Sequence, residues 1–234
     1  MDGLLAFGAE GWGDEILEGA AMTVAVAVLA YGFGILVGFL GAGAKLAPNP
    51  VVRGAAGVYT TVVRGVPELL VIYLLFFGMD PLLRSIGEAF GYSGAVRLPP
   101  FGVGVMAIGL ISGAYSTEVI RGAILTVPRG QLEAGRAFGM SRALVFRRIL
   151  LPQLLRLALP GLGNVWQLTL KDTALISVTG LAELMRLSSV AARSTREPFI
   201  FYVVAALLYL AMTTVSTVAF QRAEKHYGRG TERA

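Results

Sequence analysis

Apolar runs free of charge, or nearly so, divide the chain into five stretches long enough to cross a bilayer. A hydrocarbon core about 30 Å thick takes about 20 apolar residues in helical form, and stretches of that size fall at about 19–42, 55–79, 98–122, 154–182 and 198–221. The first, centred on AAMTVAVAVLAYGFGILVGFL, and the last carry no charge. The second is interrupted by Arg64 and Glu68, the third opens on Pro99-Pro100, and the fourth is divided by the adjacent pair Lys171-Asp172. Between the third and fourth lies a polar, glycine-punctuated insert at about 129–150, RGQLEAGRAFGMSRALVFRRIL. Pro128 can start a helix there because its missing N–H would be unpaired anyway. Gly139 suits the left-handed residue that ends a helix, and Ser141 can cap the next by accepting from a free N–H. Leu144, Val145 and Ile149 give that second helix an apolar side, and Pro152 is expected to end it and open the fourth span. The pattern predicts an all-α polytopic membrane protein, one transmembrane domain over 1–234, with five spans and a helix-glycine-helix insert.

Composition agrees. Of 234 residues 55% are hydrophobic, above the roughly 45–50% of ordinary soluble domains, and the mean hydropathy is +0.68. With no cysteine, the chain has no disulfide framework, thiolate metal site or thiol nucleophile. Its single histidine, His226, lies in the charged tail and reads as solvated rather than as a ligand or base. The first 18 residues carry Asp2, Glu10, Asp14, Glu15 and Glu18 and no Lys or Arg. A secretory leader opens with a basic segment, so the first apolar run is expected to be a retained span. Most of the twenty Lys and Arg fall in segments that share one side if the N-terminus is outside: Lys45 and Arg53, the insert, and the tail from Arg222. Basic residues near span ends set orientation, so the insert and C-terminus are expected inside. The net charge of +5 thus reads as topology, not as nucleic-acid binding.

Ionisable groups at membrane depth cost about 2.5–3.5 kcal/mol at a helix centre on insertion scales and face a bundle interior or water. Each therefore has a structural and a functional reading. Glu118 and Arg121, three apart, share a helical face and fit a structural ion pair near the inner end of the third span. Arg64 and Glu68 are four apart with Pro67 between them, which fits a packed hinge with an internal pair. Lys171 and Asp172 point about 100° apart on a helix, so they meet different surroundings, and a pathway role stands level with structural pairing. Asn164 and Trp166 fit either the pathway or, for Trp166, packing. Gly32, Gly34, Gly38, Gly41 and Gly43 allow close helix approach. Pro160, Gly161 and Gly163 suggest a bend in the fourth span.

The insert resembles the cytoplasmic EAA signature of permease subunits in bacterial ABC importers: Glu-Ala-Ala, three residues, Gly, nine residues, Ile, one residue, Leu-Pro. Glu133, Ala134, Gly139, Ile149, Leu151 and Pro152 fall in register, with Gly135 replacing the second alanine. Further stretches, GAGAKLA, YTTVVRGVPELL, GAYSTEVIRGAILTVPRG, LPGLGNVWQLTLKDTALIS and STREPF, extend the resemblance toward permeases for polar amino acids, in the branch carrying histidine, lysine-arginine-ornithine, arginine and opines. The resemblance implies that Glu133, Ala134, Gly135, Gly139, Ser141, Ile149, Leu151 and Pro152 couple the chain to a dimer of ATP-binding subunits. It also implies a second permease subunit, identical or related, a periplasmic substrate-binding protein, and an amino-acid or opine substrate in the inner membrane. Arg64, Glu68, Glu118, Asn164, Trp166, Lys171 and Asp172 are the candidate pathway residues. No GxxxxGK[ST] phosphate-cradling loop occurs, so the expectation is a passive subunit with no cofactor, metal or catalytic residue. An ion-coupled secondary transporter would show more spans and internal repeats. A membrane scaffold would explain a basic insert but not its register.

Overall fold

The structure, a computed structural model, describes residues 3–8, 11–90 and 99–228. Among the described residues there is no strand; the chain forms α1 (Gly13–Lys45), α2 (Pro50–Gly65), α3 (Glu68–Ala89), α4 (Pro100–Thr126), α5 (Arg129–Ala137), α6 (Arg142–Val145), α7 (Leu151–Asp172), α8 (Leu184–Thr195) and α9 (Pro198–Gly228). A π-helical turn, Phe146–Leu150, joins α6 to α7, and a 3₁₀ segment, Thr173–Thr179, continues α7. Helices α1, α3, α4 and α9 are each long and apolar enough to cross a membrane. The segment Arg142–Thr179 and α8, bent by 50°, are long and apolar enough only together, which gives four spans, or five if this bent pair crosses as one.

Several expected boundaries move. The stretch 55–79 is not one span. Pro67 supplies no N–H, and the residue before a proline is pushed toward extended backbone; Val66 sits at φ −104°, ψ 139°, ending α2 so that α3 starts afresh at Glu68. The 16 residues of α2 rise about 24 Å, short of a bilayer core, and Asn49 starts it by accepting from Val51 N (2.9 Å). Between the second and third expected spans the chain is helical up to Ala89, with Pro81 inside the helix, and 91–98 lies outside the described residues. Between the fourth and fifth it forms the helix α8. Pro152 does not stop the insert helix: the wider π-helical turn before it leaves room for the proline ring, and the chain stays helical from Arg142 through Asp172. Nor does the fourth span break at Pro160. Gly161 and Gly163 lie against Val119 and Phe220, and the interruption falls at the 3₁₀ segment, which ends on Gly180 at φ 88°.

The bundle is organised on α4. Of its most apolar stretch 67% is buried, against 6% for α3 and 11% for α9, so α4 is the central helix and the other two face outward. Lipid gives apolar helices no hydrophobic reason to associate, so close packing of small residues takes over. Helix α1 lies along α4 through such a seam: a Cβ on Gly34 or Gly38 would come within 2.6 Å of Ser112 Oγ or Ser116 Cβ, and Gly41 meets Thr117 as closely. Gly32 and Gly43, also expected to pack, face open space. Helix α7 packs against the C-terminal half of α4 through Ile120, Ala123, Leu154, Ala158 and Leu162. Helices α8 and α9 close over the N-terminal part of α1 through Ile16, Leu184, Ala191 and Phe201.

Gly38→Leu should therefore lower unfolding stability by about 1–3 kcal/mol through overpacking, while Gly32→Ala should stay within about 0.5 kcal/mol. Denaturant titration of the two purified variants in detergent checks this; equal stability would remove the seam.

Candidate functional site

Three of the seven candidate pathway residues come together, around a residue that sequence reasoning passed over. Tyr115, on α4, donates its hydroxyl to Glu68 Oε1 (3.1 Å), and the Arg64 guanidinium lies over its ring at 5.3 Å from the centroid, a cation–π distance. Arg64 and Glu68 do not pair with each other as expected: the break at Pro67 puts them on different helices, so the i,i+4 geometry is lost. They are linked through Tyr115 instead. Asp172, half-buried at the end of α7, is near enough to act electrostatically on both Glu68 and Tyr115. Its carboxylate has no hydrogen bond or ion pair among the described residues. The cluster thus offers one cation, one tethered carboxylate and one unclaimed carboxylate, drawn from α2, α3, α4 and α7. The only sequence signal for Tyr115 was a hydroxyl-bearing ring three residues before Glu118 in a span.

The other four go elsewhere. Glu118 sits between two cations: Arg121 Nε reaches its Oε2 at 3.1 Å, as their spacing suggested, and the Lys45 amine contacts its Oε1. Lys45 also donates to Thr60 Oγ1 (2.7 Å), so this node ties the ends of α1 and α4 to α2. Lys171 acts on Asp172 electrostatically without forming an ion pair with it, and it lines an apolar cavity of about 330 Å³ with Met185, Tyr202, Ala205 and Tyr209. Asn164 shares an exposed stripe of α7 with Pro160, Leu168 and Lys171. Trp166 packs edge-on against Tyr31, 5.3 Å between ring centres.

The insert is built as helix, left-handed glycine, helix. Gly139 has φ +78°, its N–H donates to Arg136 O (2.9 Å), and Ser141 Oγ accepts from Leu144 N (3.3 Å). Gly135 is buried, and a Cβ there would come within 2.6 Å of Ile149 Cδ1. The glycine in place of the second alanine therefore lets α5 sit directly on the π-helical turn. Gln153 Nε2 braces the pair by donating to Gln131 Oε1 (2.7 Å) and Ile149 O (3.0 Å). Glu133, Ala134, Gly139, Ser141 and Pro152 are exposed, Ile149 and Leu151 half-buried, and Phe138 at the turn is 89% exposed. That aromatic, unremarked in the sequence reading, leaves an apolar knob outside the bundle.

Residues 19–228 match the family of binding-protein-dependent transport system inner membrane components. The chain belongs to this family. It is a permease subunit of an ABC importer, and its relatives agree. It is 52% identical over 230 residues, 98% of this chain and 97% of the other, to the octopine transport system permease protein OccQ of Rhizobium meliloti. It is 42% identical over 224 residues, 96% of this chain and 98% of the other, to the histidine/lysine/arginine/ornithine transport system permease protein HisQ of Escherichia coli (strain K12). Among solved structures, a crystal structure of an amino acid ABC transporter with histidines superposes with a TM-score of 0.77 at 31% identity, covering 92% of the permease and 95% of that chain.

The Glu118 node reads as a structural fastening of the permease. Glu118→Gln leaves Lys45, whose side chain is 17% exposed, without its carboxylate. The expected loss is about 1–3 kcal/mol of stability, on the scale of an unmatched polar group, with the relative uptake of different amino acids unchanged. Thermal unfolding alongside competitive uptake checks this; altered substrate preference would move Glu118 into the pathway.

Proposed function

We propose that this permease carries cationic amino acids or related opines inward, and that the substrate meets the cluster formed by Arg64, Glu68, Tyr115 and Asp172. The observation that carries this reading is the unpaired Asp172 carboxylate beside Glu68, with Arg64 held over Tyr115. A substrate with a side-chain cation and its own carboxylate matches that set: the cation to Asp172 and Glu68, the carboxylate to Arg64. Charge-assisted hydrogen bonds of this kind are about twice as strong as neutral ones. The names of OccQ and HisQ, an opine permease and a permease for basic amino acids, support the same substrate class.

ATP hydrolysis belongs to a separate dimer of ATP-binding subunits, on which the insert docks through Glu133, Ala134, Gly139, Ser141 and the exposed Phe138. A second permease subunit, identical or related, covers the outward faces of α3 and α9, because five spans are too few to enclose a sizeable polar pathway alone. A periplasmic binding protein delivers substrate to the outer face. The N-terminus and α8 lie on that face; the insert and C-terminus lie in the cytoplasm.

Orientation is tested by cysteine substitution in a chain that has none. In intact cells an impermeant thiol reagent should label Ser194→Cys and spare Ser141→Cys; the reverse pattern would invert the topology. Site and coupling are separated by two variants of the assembled transporter. Asp172→Asn should keep the ATPase bound and weaken uptake of arginine about tenfold, the equivalent of 1.4 kcal/mol, while glutamine uptake falls much less. Gly139→Val puts a β-branched residue at positive φ, costing about 1–3 kcal/mol. It should abolish ATPase association or stimulation and leave substrate preference intact. Equal loss for arginine and glutamine in Asp172→Asn would make that residue a structural charge, and normal coupling in Gly139→Val would end the docking role of the insert.

A further inference from the structure

The most enclosed carboxylate among the described residues plays no part in the cluster above. Glu183, between the 3₁₀ segment and α8, is 0% exposed. It caps α8: Arg186 N donates to Oε1 at 2.6 Å and Met185 N to Oε2 at 2.9 Å. Two further donors come from other helices, Tyr209 OH on α9 at 3.4 Å and Thr23 Oγ1 on α1 at 3.5 Å. Thr23 Oγ1 in turn accepts from Leu184 N at 3.1 Å. The Thr173 hydroxyl donates to Leu170 O at 2.7 Å, so at its 3.2 Å contact with Tyr209 it accepts. An ionised carboxylate also only accepts, so the single Tyr209 proton is shared between Thr173 Oγ1 and Glu183 and bridges the two. Thr173, also 0% exposed, follows Asp172 directly and opens the 3₁₀ segment.

Segments of 3₁₀ helix have poorer hydrogen-bond geometry than α-helix and mark strained places in a longer helix. The backbone that presents Asp172 is thus at the weakest point of its span, and its placement depends on side-chain ties. On the α4 side Ile176 fills the space above Gly104. On the α9 side the tie is the path from Thr173 through Tyr209 to Glu183, which is anchored to α1 and α8. We propose that Glu183, acting through Tyr209 and Thr173, is a positioning residue that sets where the Asp172 carboxylate stands in the substrate cluster. This rests on the reading of Asp172 as a substrate contact.

Helix capping alone would make Glu183 merely structural, so the discriminating variant leaves both caps in place. Tyr209→Phe keeps the ring, the contact of Thr23 with Glu183 and the capping bonds, and deletes the phenol hydroxyl that bridges to Thr173 and also interacts with Thr23. In the complete transporter, reconstituted in liposomes with its ATPase and saturating binding protein, it should leave ATPase copurification, unfolding temperature and maximal rate unchanged. The apparent KM for arginine should rise about three- to tenfold, the scale of one hydrogen bond, with little change for glutamine. Thr173→Val, which cuts the bridge at its other end, should move KM the same way and add nothing to Tyr209→Phe. Combining Tyr209→Phe with Asp172→Asn should give the KM of Asp172→Asn alone, because coupled residues are non-additive. An unchanged KM in Tyr209→Phe, or penalties that add in the double variant, would overturn the positioning role while leaving the substrate site standing. A normal arginine KM in Asp172→Asn would instead remove the site itself, and the role with it.

Discussion

The close approach of α1 and α4 is the contact on which the other helices depend. In hydrocarbon, helices gain nothing by hiding apolar surface from each other, and interhelical hydrogen bonds average only about 0.6 kcal/mol in measured cases. What remains is dispersion between surfaces that fit, and Gly34, Gly38 and Gly41 against Ser112, Ser116 and Thr117 provide such a surface. The seam leaves α4 three other faces for α2, α3 and α7. It also fixes both ends of α1, which carries Thr23 to the Glu183 network and Lys45 to the Glu118 node. A shift along the seam would therefore disturb two polar nodes at once, at opposite ends of the molecule.

Those nodes show how the fold treats charge at membrane depth. Glu118 is matched by two cations and Glu183 by four donors drawn from three parts of the chain. Groups so completely engaged have little left to offer a ligand. Asp172 is the contrast, a carboxylate in a helical bundle with no hydrogen bond and no ion pair among the described residues, and only the charge of the neighbouring Lys171 to oppose its own. Since leaving an ionisable group unmatched there is costly, the unclaimed one is the natural place to expect a polar cargo.

The proposed coupling insert and the proposed substrate cluster also share one mechanical element. From Arg142 to Asp172 the chain is helical without interruption, the π-helical turn carrying it past Pro152. At about 1.5 Å per residue this is a rod of about 45 Å. One end is clamped to α5 by the contact of Gly135 with Ile149; the other ends at Asp172, where the 3₁₀ segment begins. Packed helices move as units between discrete arrangements, so a push on the insert would reach the Asp172 end with no hinge between.

The all-helical membrane character, the place of the insert, the left-handed Gly139, the cap at Ser141 and the Glu118–Arg121 pair were all legible in the sequence, because each rests on composition or on neighbours a few residues apart. Helical periodicity, glycine's tolerance of positive φ and a hydroxyl's reach to the next turn are local physics. Tertiary structure decided what local physics leaves open. Tyr115 mediates between Arg64 and Glu68 because a break at Pro67 separated two residues whose spacing suggested a direct pair. Lys45 reaches Glu118 across 73 positions, and Glu183 joins Thr23 across 160, distances over which spacing carries no information. Which glycines pack, and which of the charges inside the spans stays unpaired, follow from how the helices rotate against one another; that rotation is set by the whole seam rather than by any residue's neighbours.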